Sequence, residues 1–158
     1  SQGMPQPARY AQRPPEQRLA YVSGLAGSYR ATYDDLLRRL ERDEAVSRDG
    51  ALFARCRPAF AQASAYQVAA AKGASPPEAE RTQIIEDLMA CRKAAQAGGG
   101  EAGALLSRFA STGVVLVGVS LTGNGDEATG IELWRRGSEL AAQDKPGFQL
   151  NAKAFLPG

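Results

Sequence analysis

The sequence predicts an all-α protein, an elongated bundle of four to five helices. Apolar residues recur at alternating intervals of three and four in three separate segments, which is the spacing of helices that pack along one face. Alanine supplies much of the 44% apolar content and aromatic residues only 7%, a mixture that favours close-packed helices over strands. At 158 residues the chain is long enough to bury the core of about one domain.

The distribution of proline and apolar residues divides the chain into three regions. Residues 1–15 are predicted to be a flexible lead-in, because their prolines disfavour the interior of a helix. Residues 16–145 are predicted to form the helical domain. Residues 146–158 are predicted to be an irregular tail that is rich in apolar side chains.

The first helix is predicted to run from Glu16 to about Asp43. A helix of this length spans about 42 Å, which is the reason for expecting an elongated body. A polar connection is expected to follow it. The apolar stripe of this helix consists of Leu19, Val22, Ala26, Tyr29, Tyr33, Leu36 and Leu40.

Residues 50–97 are predicted to form an antiparallel helical hairpin. Asp49 is placed to cap its first helix, and Gly73–Ala74 is the turn between the two helices. Ser75 and Glu78 have the spacing of a capping box for the second helix. The glycines that begin at Gly98 should end that helix.

Residues 113–121 contain four valines and fit either a buried helix or a strand, since a short apolar run has no decisive period. We expect a helix, because no other segment is available to pair with a lone strand. A last helix should extend to about Gln143, with Asn124 or Asp126 as its cap. Its buried face is predicted to contain Ile131, Trp134 and Leu140.

Cys56 and Cys91 are predicted to form a disulfide that joins the two helices of the hairpin. They lie on the apolar stripes, equally far from the Gly73–Ala74 turn, so an antiparallel arrangement brings them side by side. Such a bridge favours a periplasmic or secreted protein, from which we expect a signal peptide to have been removed. Two free cysteines would instead act as small core side chains of a cytoplasmic protein. The alternative to a removed signal peptide is that Met4 is the native start.

Composition argues against several chemistries and partners. The chain has no histidine, which removes histidine-based catalytic triads and histidine-ligated zinc or haem. No cofactor or metal is expected, because residues 98–103 lack the lysine of a phosphate loop and residues 123–127 lack the ligands of a calcium loop. A net charge of +2 gives no nucleic-acid face. The longest apolar run, residues 113–121, is shorter than the ~20 residues of a membrane span.

These features favour a non-enzymatic protein-binding or scaffold module, an accessory part of the cell envelope or of a secretion assembly. Its expected partner is another protein. One candidate surface is the region of Tyr21, Tyr29 and Tyr33 on the first helix. The other is formed by the apolar residues of the tail, Phe148, Leu150, Phe155 and Leu156.

Two alternative functions belong to other classes. The first is a histidine-free, carboxylate-based hydrolase that uses a glutamate such as Glu101 or Glu132. The second is a carrier of a small apolar ligand, with the valine-rich segment as the lining of its cavity. A cleft that holds two carboxylates would favour the hydrolase, and an internal apolar cavity would favour the carrier.

Overall fold

The structure is a computed structural model that describes residues 6–144, and within them the chain forms helices and no strand. The all-α prediction is therefore confirmed for this part of the chain. The predicted tail at residues 146–158 lies outside the described residues. The helices are α1 (Pro7–Ala11), α2 (Pro15–Arg42), α3 (Glu44–Arg48), α4 (Gly50–Ala71), α5 (Glu78–Gly98), α6 (Gly100–Gly123) and α7 (Glu127–Gln143).

The helices predicted from apolar spacing are present with nearly the expected bounds. The first predicted helix is α2, and the predicted hairpin over residues 50–97 is formed by α4 and α5. Residues 113–121 lie within α6, so the expected helix is confirmed there. A helical bundle places one face of each helix against its neighbours, which is what the alternating spacing requires.

The long helices alternate in direction along the chain. Ser64 of α4 donates a hydrogen bond to Asp34 of α2, and Arg57 of α4 donates one to Glu41 of α2, which makes these two helices antiparallel. Helices α6 and α7 are antiparallel as well. Gly118 of α6 lies against Trp134 of α7, and the residue numbers of the neighbouring contacts rise along α6 as they fall along α7. Short connections between long helices produce this up-and-down arrangement.

Helix α6 lies at the centre of the bundle and packs against α2, α4, α5 and α7. Its side chains are buried along nearly its whole length, including Leu106, Phe109 and Leu116. The ring of Phe109 stacks on Tyr33 of α2 at 4.2 Å between centroids and meets the edge of Phe60 of α4 at 4.7 Å. The core therefore forms around one apolar helix, which the other four long helices enclose.

Length and composition alone would allow α6 to cross a membrane, with a mean hydropathy of 1.7 over its best window. In the bundle, 89% of that window is buried by the surrounding protein. A helix that is apolar on all sides is buried either in lipid or in a protein core. Here the neighbouring helices provide the cover, and the absence of a membrane span stays a prediction.

Helices α6 and α7 meet in a close contact through glycines. A Cβ added at Gly118 would lie 2.4 Å from the backbone nitrogen of Trp134, and one added at Gly130 would lie 2.5 Å from the backbone nitrogen of Thr122. A Cβ added at Gly137 would lie 2.7 Å from the backbone nitrogen of Val115. The prediction for the buried face of α7 is only partly right. Trp134 is fully buried, but Ile131 and Leu140 are half-buried.

The N-terminal segment differs from the flexible lead-in expected over residues 1–15. Residues Pro7–Ala11 form α1, and Tyr10 of this helix is buried against Trp134 at 6.3 Å between ring centroids. Pro7 stands in the first turn of α1, where no amide hydrogen bond is lost. The polar connection expected after α2 also contains a short helix, α3, which Asp43 caps by accepting a hydrogen bond from the Val46 amide.

The predicted capping box at the start of α5 is absent. The helix begins at Glu78, Pro77 is its N-cap residue, and no side chain caps it. A residue that precedes proline is driven towards extended backbone, so Pro76 cannot join the helix ahead of Pro77. Asp49 and Asp126 do occupy the N-cap positions of α4 and α7, but neither side chain makes a capping hydrogen bond.

Candidate functional site

The predicted disulfide between Cys56 and Cys91 is present. It joins α4 to α5 with 5.0 Å between the Cα atoms, and the two residues are 0% and 2% exposed. This separation lies within the range of about 4.4–6.8 Å that a disulfide requires. Cα atoms lie about 2.3 Å from their helix axes, so a bridge of this geometry is compatible with the ordinary spacing of packed helices.

An open groove lies where α2, the end of α4 and the end of α6 meet, and we call it the Leu19 groove. Its volume is about 280 Å³. Leu19 forms one side and is 62% exposed, although its place in the apolar stripe predicted a core residue. The groove is lined by Leu19, Ser23, Ala26, Gln67, Ala70, Ala71, Gly73, Ser120, Gly123 and Asn124.

The groove is open because the residues that face Leu19 are small. Ala70 and Ala71 end α4, and Gly123 ends α6. A Cβ added at Gly123 would meet only ordinary contacts, 3.7 Å from Val22 and 3.8 Å from Ser23. Methyl groups and hydrogen atoms do not reach across the gap between the helices, so the leucine is left exposed.

Gln67 is a buried polar residue on the lining of this groove. It is 4% exposed, and its carboxamide makes no hydrogen bond to another residue of the described chain. Neither its nitrogen nor its oxygen is one of the sealed, unsatisfied atoms of the core. The carboxamide is therefore still accessible from the groove, where it presents two N–H donors and one carbonyl acceptor.

A second buried polar cluster lies at the other end of α6 and holds the end of α7 in place. Arg92 of α5 pairs with Asp144 at 3.4 Å and donates to Ser111 at 3.1 Å. Ser107 donates to the same carboxylate at 2.7 Å. Because each charged group has partners, the cluster has the character of a structural ion pair that joins α5, α6 and the end of α7.

The tyrosines predicted as a partner surface are mostly in the core. Tyr29 and Tyr33 are 1% and 0% exposed, and burial raises the pKa of each hydroxyl well above its ordinary value. Tyr21 is half-buried, with the guanidinium group of Arg13 3.9 Å above its ring. The region therefore does not form a tyrosine surface. The tail residues of the other predicted surface lie outside the described residues.

The glutamates proposed for a hydrolase do not come together. Glu101 is in the first turn of α6, whereas Glu132 is exposed on α7 and pairs with Arg135. Trp134 packs on Gly118 and Gly130 packs on Thr122, so Glu132 lies between these contacts, about 28 Å along α6 from Glu101. Residues 6–144 also contain no cluster of three or more potential metal ligands of the His, Cys, Asp or Glu type.

The valine-rich segment, which is the expected lining of the cavity in the carrier alternative, is packed inside the bundle. Val114, Val115, Val117 and Val119 are each at most 1% exposed.

Comparison of the chain with protein-family models, curated proteins and solved structures gives no match.

The groove was not predicted from the sequence, although one residue gave a signal. Gln67 comes two helical turns after Phe60, on a face of α4 that is otherwise apolar, where a polar side chain is out of place. A polar residue at a core position is informative because burying its polar atoms is costly unless they find partners. The exposure of Leu19 could not be foreseen, because it depends on which helix ends face it.

Proposed function

We propose that this chain is a non-enzymatic protein-binding module of an oxidising compartment, the periplasm or the cell exterior, and an accessory part of an envelope or secretion assembly. The observation that carries the binding role is the Leu19 groove, in which an exposed leucine lies beside a buried carboxamide. Exposed apolar side chains that line a concave surface are typical of sites that receive a partner.

The compartment is inferred from the disulfide. Cys56 and Cys91 are both buried and bridged, and the described residues contain no free cysteine. Structural disulfides persist in oxidising compartments and are rare in the cytoplasm. The bridge supports export, and it serves stability rather than redox catalysis because its sulfur atoms are shielded from solvent.

Site-specific photo-cross-linking in cells of the native host tests the binding role. A benzophenone amino acid in place of Leu19 should give one discrete adduct with another protein. The matched control replaces Glu44, whose side chain is 93% exposed and remote from the groove, and it should give no such adduct. The change Ala71→Phe, which narrows the groove, should abolish the Leu19 adduct.

Equal adducts at both positions, or none at Leu19, would contradict the binding role of the groove. The compartment is tested separately by fractionating the same cells and trapping free thiols under denaturing conditions. The expected result is a protein outside the cytoplasm with no free thiol. A cytoplasmic protein with two free thiols would contradict the export proposal but would leave the binding role to be judged by cross-linking.

A further inference from the structure

We propose that the Leu19 groove binds an uncharged, extended peptide segment of the partner protein through one apolar side chain, with the Gln67 carboxamide paired to that residue's backbone. This inference rests on the proposed function, because it names the chemistry of the partner that the binding module receives. Three features of the groove support it: a carboxamide without a partner in the described chain, an apolar space of suitable size, and a lining without charge.

The first feature is the carboxamide of Gln67. The residue is 4% exposed and has no hydrogen-bond partner among the described residues. Its hydroxyl-bearing neighbour Ser120 is already engaged, donating to the Leu116 carbonyl at 2.6 Å. Asn124, at the edge of the groove, donates to the Ala74 carbonyl at 2.9 Å. A donor and acceptor from outside the described chain are therefore needed to satisfy Gln67.

An extended peptide residue supplies both groups together. Its N–H and C=O point to the same side of the backbone, as they do in the hydrogen-bonded pairs of antiparallel strands. A carboxamide presents an acceptor and a donor side by side, so Gln67 can accept from the N–H and donate to the C=O of a single residue. A purely apolar ligand would leave both groups of Gln67 unsatisfied.

The second feature is the apolar space. The groove volume is about 280 Å³, nearly twice the ~150 Å³ of an engineered apolar cavity that binds benzene. Leu19, Ala26 and Ala70 supply the apolar lining. A leucine or phenylalanine side chain therefore fits with room for part of the adjoining backbone.

The third feature is the absence of charge on the lining. The residues that line the groove include no Asp, Glu, Lys or Arg. An ionised side chain that entered the groove would lose water without gaining an opposite charge. The groove thus selects against charged segments, and this selection separates it from the remainder of a surface that is rich in arginine and carboxylates.

Titration of the full chain with small capped amino acids, followed by NMR, tests this proposal directly. N-acetyl-leucine-N-methylamide should shift the side-chain amide signals of Gln67 and the methyl signals of Ala70 and Ala71. A depsi analogue, in which an ester oxygen replaces the leucine N–H, should bind about two- to tenfold more weakly because one hydrogen bond is lost. N-acetyl-lysine-N-methylamide should cause no such shifts.

Two variants assign the effect to the groove. Gln67→Met keeps the length of the side chain and removes the carboxamide, so it should bind the amide and depsi probes equally. Ala71→Phe should abolish binding of both, whereas Ala61→Phe, an exposed position of α4 outside the groove, should leave it unchanged. The melting temperature of each variant is measured alongside, and the two exposed alanine positions keep the test valid should Gln67→Met not fold.

The proposal is overturned by equal binding of the two leucine probes to the wild-type chain, by an amide preference that survives in Gln67→Met, or by no shift in the groove at all. Binding of toluene that is tighter than that of the leucine probe and independent of Gln67 would overturn it in favour of an apolar-ligand carrier. An adduct at Leu19 combined with any of these results would leave the binding module standing and remove only its peptide chemistry.

Discussion

Removing the Cys56–Cys91 bridge should lower the free energy of unfolding by about 4 kcal/mol. The bridge closes a loop with a sequence separation of 35 residues, and the chain-entropy relation for a loop of that length gives roughly this value at 25 °C. For a domain whose total stability is about 5–15 kcal/mol, that is a large share. The corresponding fall in melting temperature is about 8–16 °C for a chain of this size.

The measurement is urea unfolding of the oxidised and the reduced protein, followed by circular dichroism. Because the two cysteines are 0% and 2% exposed, the reductant is added to the unfolded chain, which is then refolded under reducing conditions. Reduction removes no heavy atom from the core, so the comparison changes the covalent link without creating a cavity. The double variant Cys56→Ser/Cys91→Ser provides the control, since reductant should not alter its stability.

A difference below about 1 kcal/mol between the oxidised and reduced proteins would refute the reasoning. It would mean that the unfolded chain already holds the two helices of the hairpin together, so that the bridge removes little entropy from it. A loss well above about 5 kcal/mol would also refute it, because loop closure alone does not supply so much.

Four further predictions concern packing, helix propensity and buried polar groups, each measured as a change in the free energy of unfolding. Tyr33→Phe should stabilise the protein by about 1 kcal/mol, because the buried Tyr33 hydroxyl has no hydrogen-bond partner in the described chain; a loss of stability would contradict this. Gly118→Ala should destabilise by about 1–3 kcal/mol or more, since its Cβ would lie 2.4 Å from the Trp134 backbone. Gly24→Ala, where nothing lies within 4 Å, should stabilise by up to about 1 kcal/mol. Arg92→Met should cost about 3–5 kcal/mol by leaving Asp144 buried and unpaired, and a smaller loss in the double variant Arg92→Met/Asp144→Asn would confirm that cause.

Periodicity predicted the long helices because each has to bury one continuous face. The stripe from Val22 to Leu40 is buried in α2 as expected, and the bridge at Cys56 confirms the register of the hairpin. The short helix α3 was missed because its five residues are too few to show a period, although Val46 is buried. The helix α1 was missed because the prolines around it hide a segment that docks through Tyr10.

The buried face of α7 was predicted poorly because hydrophobicity is a weak guide where backbones touch. Ile131 and Leu140 have larger apolar side chains than Gly130 and Gly137, and yet the glycines are the residues buried against α6. A glycine at a crossing lets two helix backbones approach, and the larger side chains then cover the flanks of the contact. Which glycines do this depends on the partner helix, and that information is not local to α7.

Small residues have opposite effects at two places in this bundle. Between α6 and α7, Gly118 faces the backbone of Trp134, so the helices approach and no space remains. At the Leu19 groove, Ala70 and Ala71 of α4 and Gly123 of α6 face α2, and their side chains are too short to fill the gap in front of Leu19. Close approach of the backbones therefore fills the first contact, whereas at the second the backbones stay apart and small side chains leave an opening with the Gln67 carboxamide on its wall. The same residue types thus seal the bundle where α6 meets α7 and leave it open to a partner at the ends of α4 and α6.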